Sequence, residues 1–162
     1  MSAMSCHFSE GDCTTGRPST YEFRYNVAAF GAYGYELDLS KYSAEDKEIF
    51  KGYSARYRED EDLTLKGDLY RLISPETDKF CAYMKVSKDK KKAQLTFLEI
   101  NATGFIESMV LRLKGLAPEK AYKNVDTGEV LRGATLMNVG IRVGDLFRKK
   151  RADGYMVTFI EV

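Results

Sequence analysis

From Gly67 onward the apolar residues of this chain fall on every second position, and that period restricts the region to strands. Phe80, Ala82, Met84 and Val86 alternate with Cys81, Tyr83, Lys85 and Ser87. Ala93, Leu95 and Phe97 keep the rhythm, as do Met109, Leu111 and Leu113 against Arg112 and Lys114, and Tyr155, Val157 and Phe159 near the end. Successive side chains on a strand point to opposite faces, so each run offers one face to a core. Shorter strands are expected at Leu69 to Ile73, Tyr122 to Val125, Glu129 to Leu131 and Leu136 to Ile141. Lys88-Asp89-Lys90, Asp126-Thr127-Gly128 and Ala152-Asp153-Gly154 supply turn chemistry between strands. Short strands joined by hairpins argue for an antiparallel sandwich or a partly closed barrel, and an antiparallel β-sandwich-like domain is expected over residues 67–162.

Residues 1–66 follow a different, helical period, so the chain is expected to be mainly β with a helical N-terminal lead. Ser19 with Glu22 three residues on is a capping box, with Pro18 just outside it. The stretch from Arg24 to Asp38 reads as a helix that is apolar or small nearly all round, stopping near Gly34. A helix of that kind belongs between other elements. The residues from Met1 to Thr20 are too few and too polar to enclose it, so the chain is expected to be the back end of something larger. A second helix opens at Ser43, again with an acid three residues on at Asp46. Ile49, Phe50, Tyr53 and Tyr57 make its apolar stripe, and Glu59-Asp60-Glu61-Asp62 is expected to close it as a solvated acidic turn.

Composition excludes several functions. With 25 basic and 24 acidic residues the net charge is +1, which argues for neither nucleic acid nor a membrane surface. No run approaches the roughly 18 apolar residues of a membrane span. The basic clusters Lys88 to Lys92 and Arg148 to Arg151 lack the interleaved aromatics of a single-strand binder; solvated edge lysines explain them better. The N-terminus has no secretory-signal pattern, and three cysteines without a CxxC suit reduced thiols in the cytoplasm. Cys6, Cys13 and His7 would make a zinc site one ligand short, since His7 is the sole histidine. No metal and no cofactor are expected. Nor do the residues assemble into an active site: no Gly-rich loop follows a strand, and Glu22, Glu36 and Asp38 read as cap and helix exit.

Several motifs resemble one family. Ser2 to Ser9, Thr15-Gly16-Arg17 and Arg24 to Asp38 are similar to the end of the catalytic barrel in bacterial α-galactosidases of glycoside hydrolase family 36. The likeness continues through Gly67 to Pro75, Met84 to Ser87, Leu111 to Leu116 and Gly133 to Gly140, in order along nearly the whole chain. The resemblance implies an enzyme with an N-terminal β-supersandwich, a central (β/α)₈ barrel and a C-terminal antiparallel β domain. It implies retaining hydrolysis of terminal α-galactosides such as melibiose and raffinose by two aspartates. Both would lie upstream of this chain, so no residue here is expected to be catalytic and the isolated chain is expected to be inactive.

On the same resemblance, residues 1–66 are the remnant of the barrel end, with Met1 to Phe8 its last strand and Thr20 to Tyr33 the covering helix. The region 67–162 would pack against the barrel and stabilise it, with homo-oligomerisation a further expectation. Residues at the C-terminal ends of barrel strands line the site, which puts His7, Ser9 and the loop to Arg17 at the galactose pocket rim. His7 is the substrate-binding candidate. Cys6 and Cys13 depart from the family pattern. The competing expectation is an independent sugar-binding or adaptor module; against it, the chain has no Trp for a sugar platform, although it has 11 Tyr.

Overall fold

The computed structural model describes residues 4–10, 19–100, 109–144 and 154–162. They fall into two compact units, Met1–Lys66 and Gly67–Val162.

In the first unit β1 (Ser5–Ser9) leads through helix α1 (Tyr21–Ala28) to β2 (Ala32–Glu36), a 3₁₀ turn (Leu39–Lys41) and the long helix α2 (Ala44–Lys66). β1 and β2 run parallel, in a register that sets Ser5 against Ala32 and Ser9 against Glu36. Parallel neighbours need a crossover, and α1 provides it. This corrects two expectations. The apolar helix does not continue to Gly34: it ends at Ala28, and residues 32–36 are strand. The strand read at Met1 to Phe8 is Ser5–Ser9, it is followed by a second parallel strand, and it has a partner.

The physical reason lies at Gly31. A Cβ there would stand 2.5 Å from the Met4 carbonyl oxygen, so only glycine lets the chain leave the helix this close to β1. The Ala32 amide then donates to the same Met4 carbonyl at 2.8 Å and starts the ladder. Alternating Tyr33 and Tyr35 suit a pleated strand better than a helix.

The helix start also moves. Thr20 is the N-cap of α1 and accepts from the Phe23 amide at 3.1 Å, while Ser19 instead accepts from Arg24 Nε. Glu22 is released from capping and ion-pairs with Arg56 on α2 at 3.2 Å. The Ser43–Asp46 capping box forms as expected: Ser43 Oγ accepts from the Asp46 amide and Asp46 Oδ2 accepts from the Ser43 amide, both at 3.1 Å. Glu59 to Asp62 is not a turn, because α2 runs on to Lys66 and buries Asp60 on its inner side. Along the expected stripe Phe50 and Tyr57 are buried, but Ile49 is exposed.

Rings fill the space between these elements. Phe8, with no exposed surface, meets Phe50 at 5.2 Å and Tyr35 at 5.6 Å between ring centroids. Tyr33 stacks on Tyr57 at 5.2 Å. Phe8, Tyr33 and Tyr35 share the helix-covered face of the parallel pair. The other face carries Ser5, His7 and Ser9 opposite Ala32, Gly34 and Glu36.

In the second unit the described residues form a six-stranded antiparallel sheet and a small two-stranded one. The strands are β3 (Asp68–Ile73), β4 (Phe80–Val86), β5 (Lys92–Glu99), β6 (Val110–Leu111), β7 (Ala121–Asn124), β8 (Val130–Arg132), β9 (Ile141–Arg142) and β10 (Gly154–Glu161), with helix α3 at Gly133–Asn138. The large sheet has the order β3-β4-β5-β10-β7-β8, and β6 pairs with β9. Phe80, Ala82, Met84, Val86, Ala93, Leu95, Phe97, Val157 and Phe159 face one core, closed by Leu111, Leu113, Leu116, Leu136 and Val143. This is the antiparallel, sandwich-like domain that the period of two predicts.

Three details differ from the sequence expectation. Leu136 to Ile141 is not a strand: residues 133–138 form α3 and only Ile141–Arg142 pairs. Gly133 opens α3 where a Cβ would come within 2.1 Å of the Ala117 carbonyl oxygen, a close approach that turns the chain out of β8. Met109 to Leu113 pairs over only two residues, Val110 and Leu111. The alternate faces of β4 and β5 are also buried, at Tyr83, Lys85, Gln94 and Thr96, with the Lys85 ammonium 6.0 Å from the Tyr83 ring centroid. The turns at Lys88–Lys90 and Asp126–Gly128 form as expected, the latter closed by the Gly128 amide on the Asn124 carbonyl at 2.8 Å. Of the third turn, Ala152 and Asp153 lie outside the described residues.

Candidate functional site

The polar face of the β1–β2 pair ends in a group of charged side chains. Because the strands are parallel, their C-terminal ends lie side by side, and Ser9, Glu10 and Glu36 gather there. His7 is set against Gly34 in the register, and Glu36 is two residues further along the same face. The imidazole passes Gly34, where a Cβ would meet its Cδ2 at 3.6 Å, an ordinary contact, and leans toward Glu36. His7 Nδ1 lies 3.2 Å from Glu36 Oε2, with both side chains largely exposed.

The loop after β2 carries the rest. Asp38 Oδ1 accepts from the Ser40 amide at 3.0 Å and from Ser40 Oγ at 2.6 Å, and these bonds hold its carboxyl below the usual aspartate range. Lys41 Nζ lies 3.6 Å from Glu10 Oε1 and 3.9 Å from Asp38 Oδ2. One lysine thus ties the end of β1 to the loop after β2.

Chemically this is one imidazole beside one carboxylate, with an ammonium between two further acids. It presents hydrogen-bond donors and acceptors on one exposed face. Retaining glycoside hydrolysis asks for two carboxyl groups about 5–5.5 Å apart, one of them environmentally tuned. Among the described residues Asp60 is the one buried acid, and it lies on α2.

The candidate drawn from sequence, His7, sits at the middle of β1, on the same face as Ser9, and its side chain reaches Glu36 at the end of β2. Arg17, Cys13 and Met1 to Ala3 lie outside the described residues, as do Arg148 to Arg151. Cys6 and Cys81 are free and half-buried, and burial pushes the Cys81 thiol up. No group of three or more His, Cys, Asp or Glu side chains placed to hold a metal occurs among the described residues. Lys88 and Lys90 pair with Asp68, the latter at 3.6 Å, at the tip of the β4–β5 hairpin. Sequence reasoning missed Glu36 as the partner of His7, together with the Glu10–Lys41 tie. The signal for Glu36 was the Tyr33–Tyr35 alternation, which places Glu36 at a strand end rather than a helix exit.

Residues 80–156 match the glycosyl hydrolase family 36 C-terminal domain. The bifunctional α-galactosidase/sucrose kinase AgaSK of Mediterraneibacter gnavus is 31% identical over 163 residues, which cover 100% of this chain and 17% of that protein. The α-galactosidase Mel36A of Lactobacillus acidophilus is 36% identical over 125 residues, covering 77% of this chain and 17% of its own. The family 36 α-galactosidase AgaA of Geobacillus stearothermophilus superposes with a TM-score of 0.90 at 31% identity, over 99% of this chain and 22% of that one. A variant of AgaA has been solved in complex with raffinose. The chain thus spans about a fifth of the length of the proteins it matches.

Proposed function

Because the chain belongs to glycosyl hydrolase family 36 through its C-terminal domain, we propose that it works as the C-terminal portion of an α-galactosidase acting on terminal α-galactosides such as melibiose and raffinose. In this reading the two reacting carboxyls come from a catalytic barrel upstream, and β1 and β2 continue that barrel's ring of parallel strands. The Gly67–Val162 unit stabilises the assembly and does no chemistry.

The observation that carries the reading is the two-faced parallel pair. Parallel sheets are normally covered on both faces and extended by further strands. Here α1 and α2 cover one face through Phe8, Tyr33 and Tyr35, while the opposite face holds exposed Ser5, His7, Ser9 and Glu36. Small and polar residues facing inward at strand C-terminal ends are what a (β/α)₈ active-site mouth requires. The names of the relatives supply the reaction, and the raffinose complex of AgaA supplies a substrate for it.

A cytoplasmic location fits the free thiols Cys6 and Cys81. Homo-oligomer formation is part of the same proposal. Sedimentation at rising concentration reads it.

The reading is tested by co-expressing the 162-residue chain with an upstream segment that carries the rest of a family 36 barrel. A stable complex that survives gel filtration is expected. Failure of the two to associate, with each separately folded, overturns it.

A further inference from the structure

The His7–Glu36 contact fixes more than a position. A carboxylate can only accept, so a hydrogen bond between His7 Nδ1 and Glu36 Oε2, 3.2 Å apart, puts the proton of the neutral ring on Nδ1. Nε2 is then bare and can only accept. Both side chains stand on the polar face of the parallel pair, with Gly34 between them in the ladder and Ser9 opposite Glu36.

Resting on the reading above, we infer that Glu36 is a positioning residue. It holds His7 in the Nδ1–H form so that Nε2 accepts a hydrogen bond from a hydroxyl of the bound galactoside. The inference names a residue for which sequence reasoning had no role, and it narrows what His7 does: it takes a proton-sharing contact from substrate rather than donating one. A sugar hydroxyl is both donor and acceptor, so a site that presents an acceptor here selects the hydroxyl's orientation. An analogue lacking that hydroxyl loses the contact.

The chain's sole histidine makes the first test direct. Nitrogen-15 NMR of the His7 ring in the 162-residue chain, at a pH where the ring is neutral, is expected to show Nδ1 protonated and Nε2 bare. In Glu36→Gln the amide can also donate, and the tautomer balance is expected to move toward Nε2–H. Nε2–H dominance in the unaltered chain overturns the inference. So does a balance that Glu36→Gln leaves unmoved while the backbone spectrum stays folded.

The second test uses the enzyme in which this chain is joined to its barrel. Glu36→Gln is expected to raise KM for melibiose about three- to tenfold with kcat little changed, as loss of one aligned hydrogen bond predicts. His7→Gln, which keeps an acceptor near the Nε2 position, is expected to recover more of the affinity than His7→Ala. An active enzyme whose KM ignores both residues overturns the inference alone. A joined enzyme with no α-galactosidase activity instead overturns the reading on which it rests.

Discussion

The Tyr25 ring lies stacked on the Tyr53 ring, centroids 4.6 Å apart and planes within 11°, which fastens α1 to α2. The Arg56 guanidinium sits 5.3 Å from the Tyr25 ring centroid and pairs with Glu22, also on α1. Burial pushes the Tyr25 and Tyr53 phenols up, so both stay neutral at ordinary pH. The helix that the sequence presents as lacking partners therefore has them inside its own unit. Val27 is exposed, while Phe30 and Tyr33 are half-buried.

Tyr25→Ala is accordingly expected to destabilise the Met1–Lys66 unit by about 3–5 kcal/mol, the usual cost of emptying a buried aromatic site. Denaturant unfolding followed by tyrosine fluorescence reads it. A loss below about 1 kcal/mol would mean that α1 is only loosely attached.

Two glycines should respond to alanine with opposite signs. Gly52 lies within α2 with nothing within 4 Å of a new Cβ, so Gly52→Ala is expected to stabilise by about 0.5–1 kcal/mol. At Gly133 the new Cβ would meet the Ala117 backbone oxygen at 2.1 Å, so Gly133→Ala should destabilise the Gly67–Val162 unit. Paired melting curves check both signs.

Acid should loosen both units. Hydrogen bonds hold four carboxyls below their ordinary value of 3.8: Ser40 acts on Asp38, Ser43 on Asp46, Lys88 on Asp68 and Ser87 on Asp89. A carboxyl depressed in the folded state contributes stability that is complete above its unfolded pKa and is lost as pH falls through the folded one. Stability is therefore expected to drop below about pH 4, and Asp46→Asn is expected to flatten part of that drop. An Asp46→Asn variant with an unchanged acid slope would remove this carboxyl from the account.

Legibility tracked sequence distance. The Phe80–Val86 and Lys92–Glu99 strands and the Ser43–Asp46 cap were readable because their signals lie within a few residues. β2 was not, since five residues containing Ala and Gly carry too little period to separate strand from helix, and its pairing partner β1 lies across a whole helix. α3, at six residues, is too short to show a helical period. His7 could be named from its motif, but its contact with Glu36 spans 29 residues and exists only once the parallel register is formed.

The most direct measurement is turnover of nitrophenyl α-galactoside by the purified 162-residue chain, alone and after addition of an upstream segment carrying the rest of a family 36 barrel. The account predicts no turnover alone and activity on addition, because in the proposed reading the reacting carboxyls come from upstream and His7 and Glu36 only orient the sugar. Steady turnover by the chain alone, surviving purification to homogeneity and lost in a variant of one of its own acids, would contradict it.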